Sequence, residues 1–378
     1  MDNDSVTNPQ MAVGKKAKLK VFSRAKDPKA IVLTERDATA LEALWRHRCL
    51  SGDQLRRLVF RCGPSMLRRR LRALYDNGLI DRVRVAAMPA RGISPFVYVV
   101  ARGGMEVLPE LLARYRPDLA ADIDETAGVT ALRGAGLRFI AHRYMVNETH
   151  VTLEEAARQR GYTVRWLHEE ELTIGGVSDK RRAEVVKYPS LREPMTFLPD
   201  AYFELRTPNG KSFAFFVEID RGTHPQRVWR DRAKLYNAYA DPRFGLFRRR
   251  FGRETFRLLI VTTPDYRQRS RCDNILQTIQ RTIRPTDMFL GTTFDSLDAA
   301  HILQPCWRTA DGTGRRVALV PIPAVTTAPA AVRTTPAVRV TPVVVRPASV
   351  RIYARSANRG TVEAESVPLT IHRTGESQ

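Results

Sequence analysis

The chain has 378 residues, room for two or three domains that each bury a core, and carries 62 Lys and Arg against 40 Asp and Glu, a formal charge of +22. That excess points to an anionic polymer as partner, nucleic acid first, while 43% hydrophobic residues is ordinary for a globular protein. No apolar run approaches the ~20 residues of a membrane helix, and the polar N-terminus lacks a signal-peptide core, so no membrane association and a cytoplasmic location are expected.

Residues 1–30 form a polar arm, basic at Lys15, Lys16, Lys18 and Lys20 and without periodicity. It is expected to be disordered and to add phosphate contacts without specifying sequence. Residues 31–104 read as three helices and a hairpin. Thr34 caps the first helix, with Asp37 at the capping-box position and Leu41, Leu44 and Trp45 on its apolar stripe. Ser51-Gly52-Asp53 caps a short second helix. Gly63-Pro64-Ser65 opens a third, ended by Asn77-Gly78. Its Leu67, Leu71 and Leu74 turn inward at helical spacing, which leaves Arg68, Arg69 and Arg72 projecting elsewhere. The runs Leu79 to Ala87 and Phe96 to Ala101, either side of Pro89-Ala90-Arg91-Gly92, are a β-hairpin. This order makes a winged helix-turn-helix, a module that lays its third helix in the major groove of double-stranded DNA and sets its wing on the backbone. Ser65, Arg68, Arg69 and Arg72 on the helix, and Arg82, Arg84 and Arg91 in the wing, are the candidate DNA contacts, most of them to phosphate. Winged helices also dock proteins, and arginines also solvate a face; the basic third helix favours DNA.

Residues 105–130 read as a linker helix, Met105 to Tyr115, followed by an acidic capping segment. Within 131–320, Leu137 to Arg160 has the pattern of one long helix with Leu137, Ile140, Ala141, Tyr144 and Val151 on a stripe. Glu148 falls on that stripe, and a carboxylate on an apolar face must pair or bind a cation. His142 reads as a packing histidine. Tyr162 to Leu172 is a strand candidate. A hairpin then runs from Pro199 through the Thr207-Pro208-Asn209-Gly210 turn to Asp220, with Asn-Gly as the turn signal. Strand alternation puts Glu218 and Asp220 on one face with Phe216, and the hairpin returns Asp200 beside that end. Which face Asp200 takes rests on a one-residue detail of the turn. Three converging acids are suited to a hard divalent cation, Mg²⁺ or Mn²⁺, which activates water and offsets charge on phosphate. A solvated strand end is the plainer alternative. His224-Pro225 opens a helix bearing Arg227, Arg230, Lys234 and Tyr239, and Phe256 to Thr263 is a buried parallel strand. A helix from Ser270 to Ile283 and a strand from Asp287 to Thr292 complete the order αβββαβ followed by αβ. Residues 321–378, rich in Ala, Val, Pro and Arg, read as a disordered, positively charged tail; Val343-Val344-Val345 is short and proline-flanked for a strand. Cys49, Cys62, Cys272 and Cys306 form no CxxC pair, and a zinc set built on His47, Cys49 and Cys62 lacks a fourth ligand. The seven histidines show no HExxH or comparable spacing.

The string Pro199-Asp200 with Glu218-Ile219-Asp220 resembles the PD-(D/E)xK nuclease signature, with Asp220 where that pattern has lysine. The fuller set, FLPDAYFEL, FFVEIDRGTH and KLYNAY, is similar to the replication-relaxation family of plasmid and mobile-element proteins over roughly Ile31 to Leu297. The resemblance implies an α/β (α+β overall) protein: an N-terminal winged helix-turn-helix, a PD-(D/E)xK restriction-endonuclease-like αβββαβ domain and a disordered tail. It implies a DNA-binding role in replication, relaxation or mobilisation by conjugation, with relaxase or replication proteins as further partners. As an enzyme the chain would hold Mg²⁺ or Mn²⁺ on Asp200 and Glu218, with Asp220 or Glu148 assisting. Glu148 follows from the acid that the first core helix lends in such nucleases; pairing with a core arginine is the alternative. Lys234 would stand in for the missing lysine. The rival is a non-catalytic accessory factor or transcriptional repressor in which the same acids are structural.

Overall fold

The computed structural model describes residues 23–84, 96–120, 137–173, 183–264, 270–321 and 343–345. Strand β1 (Ile31–Leu33) leads into α1 (Glu35–His47). The Asp37 carboxylate accepts from the Thr34 backbone N–H at 2.8 Å and from its hydroxyl at 2.7 Å, so the capping acid sits where the spacing placed it. After β2 (Leu50–Ser51), Ser51 and Gln54 cap α2 (Gly52–Leu55) reciprocally, and the helix runs on into one π turn, Arg56–Phe60. Pro64 opens α3 (Pro64–Asp76), where its missing N–H costs nothing. Strands β3 (Ile80–Arg84) and β4 (Phe96–Val100) pair antiparallel and complete a three-stranded sheet ordered β2-β4-β3. Helix α4 (Arg102–Tyr115) closes the core formed by Leu41, Leu44, Leu67, Leu71, Leu108 and Leu112. Gly104 permits this approach: a Cβ there would lie 2.1 Å from the Leu79 carbonyl oxygen. A short α5 (Pro117–Ala120) follows.

The rest is built on a seven-stranded sheet. Helix α6 (Leu137–Gln159) precedes β5 (Thr163–His168), which ends in a 3₁₀ turn at Glu169–Leu172, earlier than expected. A small hairpin, β6 (Glu184–Val186) with β7 (Met195–Phe197), stands apart from the main sheet. Strands β8 (Ala201–Arg206) and β9 (Ser212–Asp220) form the expected hairpin, its turn closed by Thr207 N–H to the Lys211 carbonyl at 2.9 Å, with Gly210 at φ +82°. Then come α7 (Gln226–Ala240), α8 (Leu246–Phe251), β10 (Arg257–Thr262), α9 (Arg271–Thr282), β11 (Phe289–Thr293), β12 (Trp307–Thr309) and β13 (Arg316–Val317). Sheet order is β13-β12-β11-β10-β9-β8-β5. Within it β5, β8 and β9 are an antiparallel meander, while β10 runs parallel to both β9 and β11. The architecture is therefore mixed α/β.

Alternation along β9 divides two apolar layers. Phe215, Val217 and Ile219 pack with Met145, Val146 and Leu153 of α6. Phe216 packs with Trp229 and Tyr236 of α7 and Ile275 of α9 on the other face. Both faces of the central strands are covered, so β10 reads as a continuous apolar run. Among the described residues, no helix is long and apolar enough to cross a membrane.

Two stretches expected to be disordered contain ordered pieces. The end of the basic arm is docked: Arg24 pairs with Asp81 and lies 4.3 Å over the Tyr75 ring, while Ala25 N–H donates to Asp76 at 3.0 Å. Local acids at the end of α3 and in β3 attract this segment, which composition alone did not reveal. In the tail, β14 (Val343–Val345) pairs antiparallel with β1, Ile31 opposite Val345. These three β-branched residues suit the extended conformation, and the two strands form a sheet of their own.

Candidate functional site

The carboxylates of Asp200, Glu218 and Asp220 gather at the end of β9, each on different partners. Asp200, just before β8, accepts the Ile219 backbone N–H at 2.7 Å and faces His142 Nε2 of α6 at 3.1 Å. Asp200 is half-buried, and its desolvation opposes ionisation, but the His142 bond and charge and the Ile219 N–H prevail and hold its pKa below the usual carboxylate range. His142 is raised correspondingly against its own desolvation. The histidine read as packing is thus bonded to the acid.

Glu218, 3% exposed, points into the α7 face. Its Oε1 accepts from the Tyr236 hydroxyl at 2.7 Å, and its Oε2 pairs with the Arg232 guanidinium. Burial first, then repulsion from Asp200, push its pKa up to about 7 despite Arg232. Arg232 and Tyr236 are one turn apart on α7 and share a face. Lys234 lies two residues from Arg232, roughly 200° around the helix, and among the described residues has no bond to these acids. The cation that meets the acid is Arg232, a residue that sequence reasoning did not single out. The i, i+4 spacing of Arg232 and Tyr236 was the signal available for it.

Asp220 is saturated. Its Oδ1 accepts from Gly222 N–H at 2.6 Å and Arg271 Nε at 3.0 Å; its Oδ2 accepts from Trp229 Nε1 at 2.7 Å and Arg271 Nη2 at 2.8 Å. These bonds hold its pKa low despite burial. Asp220 ties the end of β9 to the starts of α7 and α9.

Glu148 does not join the other acids. It is buried, 4% exposed, and turned toward the N-terminal part, where Arg57 Nη1 donates to Oε1 at 2.5 Å and Gln54 Nε2 to Oε2 at 3.0 Å. Arg57 also reaches Thr152 at 2.9 Å and Glu155 at 2.7 Å. Of the two roles considered for this acid, pairing with a core arginine is the one the structure displays. Periodicity placed Glu148 on the buried stripe, but its partner lies 91 residues earlier in the chain.

On α3, Ser65, Arg68 and Arg69 are exposed; Arg68 only returns a 3.3 Å bond to the Pro64 carbonyl. Arg72 is held at 2.7 Å by Asp76 and at 3.0 Å by the Ser23 carbonyl. Arg82 stacks 4.3 Å over Tyr75. Arg84 lies at the end of β3, its backbone in register with Phe96. Arg91 lies outside the described residues. The candidate contacts thus divide into an exposed group at the start of α3 and a group engaged at its other end.

No curated protein and no solved structure matches the chain. The sequence model of the replication-relaxation family matches residues 41–250, which run from within α1 to within α8 and take in Glu148, Asp200, Glu218 and Asp220. Covering more than half of its length, that match shows that the chain belongs to the replication-relaxation family.

Proposed function

We propose that the protein is a DNA-binding factor of plasmid or mobile-element replication and mobilisation, working beside relaxase or replication proteins. In this reading residues 31–104 are a winged helix-turn-helix that presents α3 to double-stranded DNA, and residues 131–320 are a PD-(D/E)xK-like domain. The meander β5-β8-β9, with β10 parallel to β9 and α6 and α7 on opposite faces, supports the second assignment. The observation that carries the DNA reading is the exposure of Ser65, Arg68 and Arg69 on the face of α3 opposite its leucines, in a chain of charge +22. Duplex affinity is expected to fall steeply between low and physiological salt as condensed counterions are released. Arg68→Ala with Arg69→Ala should weaken it several-fold, with an unchanged melting temperature and a shallower salt slope. Fluorescence anisotropy across salt measures both; a salt-independent affinity, or a double variant that binds like wild type, removes α3 as the reader.

Two bonds favour a non-catalytic nuclease-like domain: Arg232 already neutralises Glu218, and Arg271 neutralises Asp220. One observation favours a second reading, metal-dependent nicking. Burial raises Glu218 to about 7, and Asp200 adds a smaller repulsion that Mg²⁺ or Mn²⁺ on the two carboxylates would relieve. Oxygen donors of this kind suit such an ion, which would supply an activated water, while Arg232 would release Glu218 and face the phosphate. Supercoiled plasmid incubated with protein and Mn²⁺ is expected to stay intact. Nicking by wild type but not by Asp200→Ala would establish the enzyme instead.

A further inference from the structure

We propose that His47, His150 and His168 form a site for a transition-metal ion of the Zn²⁺ class, buried where α1, α6 and β5 meet. One ring nitrogen from each lies within 4.8 Å of the others. The three residues are 3%, 6% and 1% exposed. Among the described residues, neither ring nitrogen of His150 nor Nε2 of His168 has a hydrogen-bond partner, whereas buried polar groups ordinarily find one. Glu154 stands 3.6 Å from His150 Nε2, beyond hydrogen-bond length. A bound cation would take up the one lone pair that each neutral imidazole carries.

The surroundings prepare at least one ring as a ligand. The Asn147 amide donates to the carbonyls of His47 at 3.1 Å and Cys49 at 2.6 Å, which fixes its oxygen toward His47 Nδ1 at 3.2 Å. His47 Nδ1 must therefore carry the proton, leaving the Nε2 lone pair for a metal, the outer-partner arrangement common to metal-bound histidines. His168 Nδ1 receives only a long bond, 3.4 Å, from the Trp166 indole.

An all-nitrogen donor set selects Zn²⁺, Co²⁺ or Ni²⁺ over Mg²⁺. Tetrahedral Zn–N bonds of about 2.0–2.1 Å set the nitrogens about 3.3 Å apart, so each ring draws inward by under about 1 Å, and the His47 and His150 rings, stacked at 4.9 Å, turn about their side-chain bonds to aim their lone pairs at the ion. Glu154, one turn after His150, is placed to supply a fourth ligand. Of the positive neighbours, Arg143 is compensated by Glu170 at 2.6 Å and Glu169 at 3.7 Å, and Arg46 by Glu42 at 2.7 Å and Glu171 at 3.2 Å. The ion would join the end of α1 to the first helix and edge strand of the large sheet, fixing the DNA-reading part against the nuclease-like one.

The test strips the full-length protein with a chelator and adds Zn²⁺, Co²⁺ or Mg²⁺ alone. One equivalent of Zn²⁺ per chain by elemental analysis is expected, with a higher melting temperature, visible Co²⁺ ligand-field bands and no response to Mg²⁺. His150→Phe, which keeps the 4.4 Å stack on Trp166, should lose all three responses. A variant carrying Asp200→Asn and Glu218→Gln should keep them, which separates this site from the acid pair. Wild-type protein with neither Co²⁺ bands nor zinc stabilisation overturns the proposal, as does equal metal uptake by wild type and His150→Phe.

Discussion

Replacing Arg57 by alanine is expected to cost the folded protein about 3–5 kcal/mol, the usual consequence of removing one partner from a buried ion pair. Arg57 leaves the π turn and donates to Glu148, Thr152 and Glu155 on three successive positions of one α6 face. Without it, Glu148 keeps the Gln54 amide but loses its cationic partner among buried side chains. Urea denaturation of Arg57→Ala should show the full loss. The double variant Arg57→Met, Glu148→Met should recover most of it, because no uncompensated charge is then left behind. A loss under about 1 kcal/mol in the single variant would mean that the pair does not secure the N-terminal part to α6.

Asp220→Asn is expected to destabilise the protein by about 2–4 kcal/mol, with or without a divalent cation. Asp220 is 1% exposed and surrounded entirely by donors: the Gly222 N–H, the Trp229 indole and two nitrogens of Arg271. Asparagine replaces one acceptor oxygen by an NH₂ group aimed at those donors, and removes the charge that compensates Arg271. Thermal melts in chelator and in Mg²⁺ should drop equally. A variant with unchanged stability that lost only metal-dependent behaviour would return Asp220 to the catalytic set.

What was legible in the sequence was local. The Asp37 cap, the leucine stripe of α3, the Asn209-Gly210 turn and the alternation that puts Glu218 with Phe216 each depend on residues within a turn or two. What escaped were partnerships across the chain. Glu148 showed its burial but not Arg57, because helical periodicity reports a face and not what covers it. The histidine group joins positions 47, 150 and 168, a spacing that no short motif encodes. Lys234 was named as a substitute lysine and Arg232 was passed over, although the i, i+4 spacing of Arg232 and Tyr236 was available from numbering alone. The docked arm failed similarly: its lysines set the composition, but Arg24 found Asp81 from 57 residues away.

The pairing of β1 with β14 bears on how this surface can be approached from outside. A short extended strand with free backbone groups is a template for strand addition by any extended peptide, and Val32 is 45% exposed there. Here the template is taken by the chain's own valines. A tethered strand competes at an effective concentration of order millimolar, so an incoming segment must bind far more tightly than that to displace it. The tail thus acts as an intramolecular competitor that sets an affinity threshold for strand exchange.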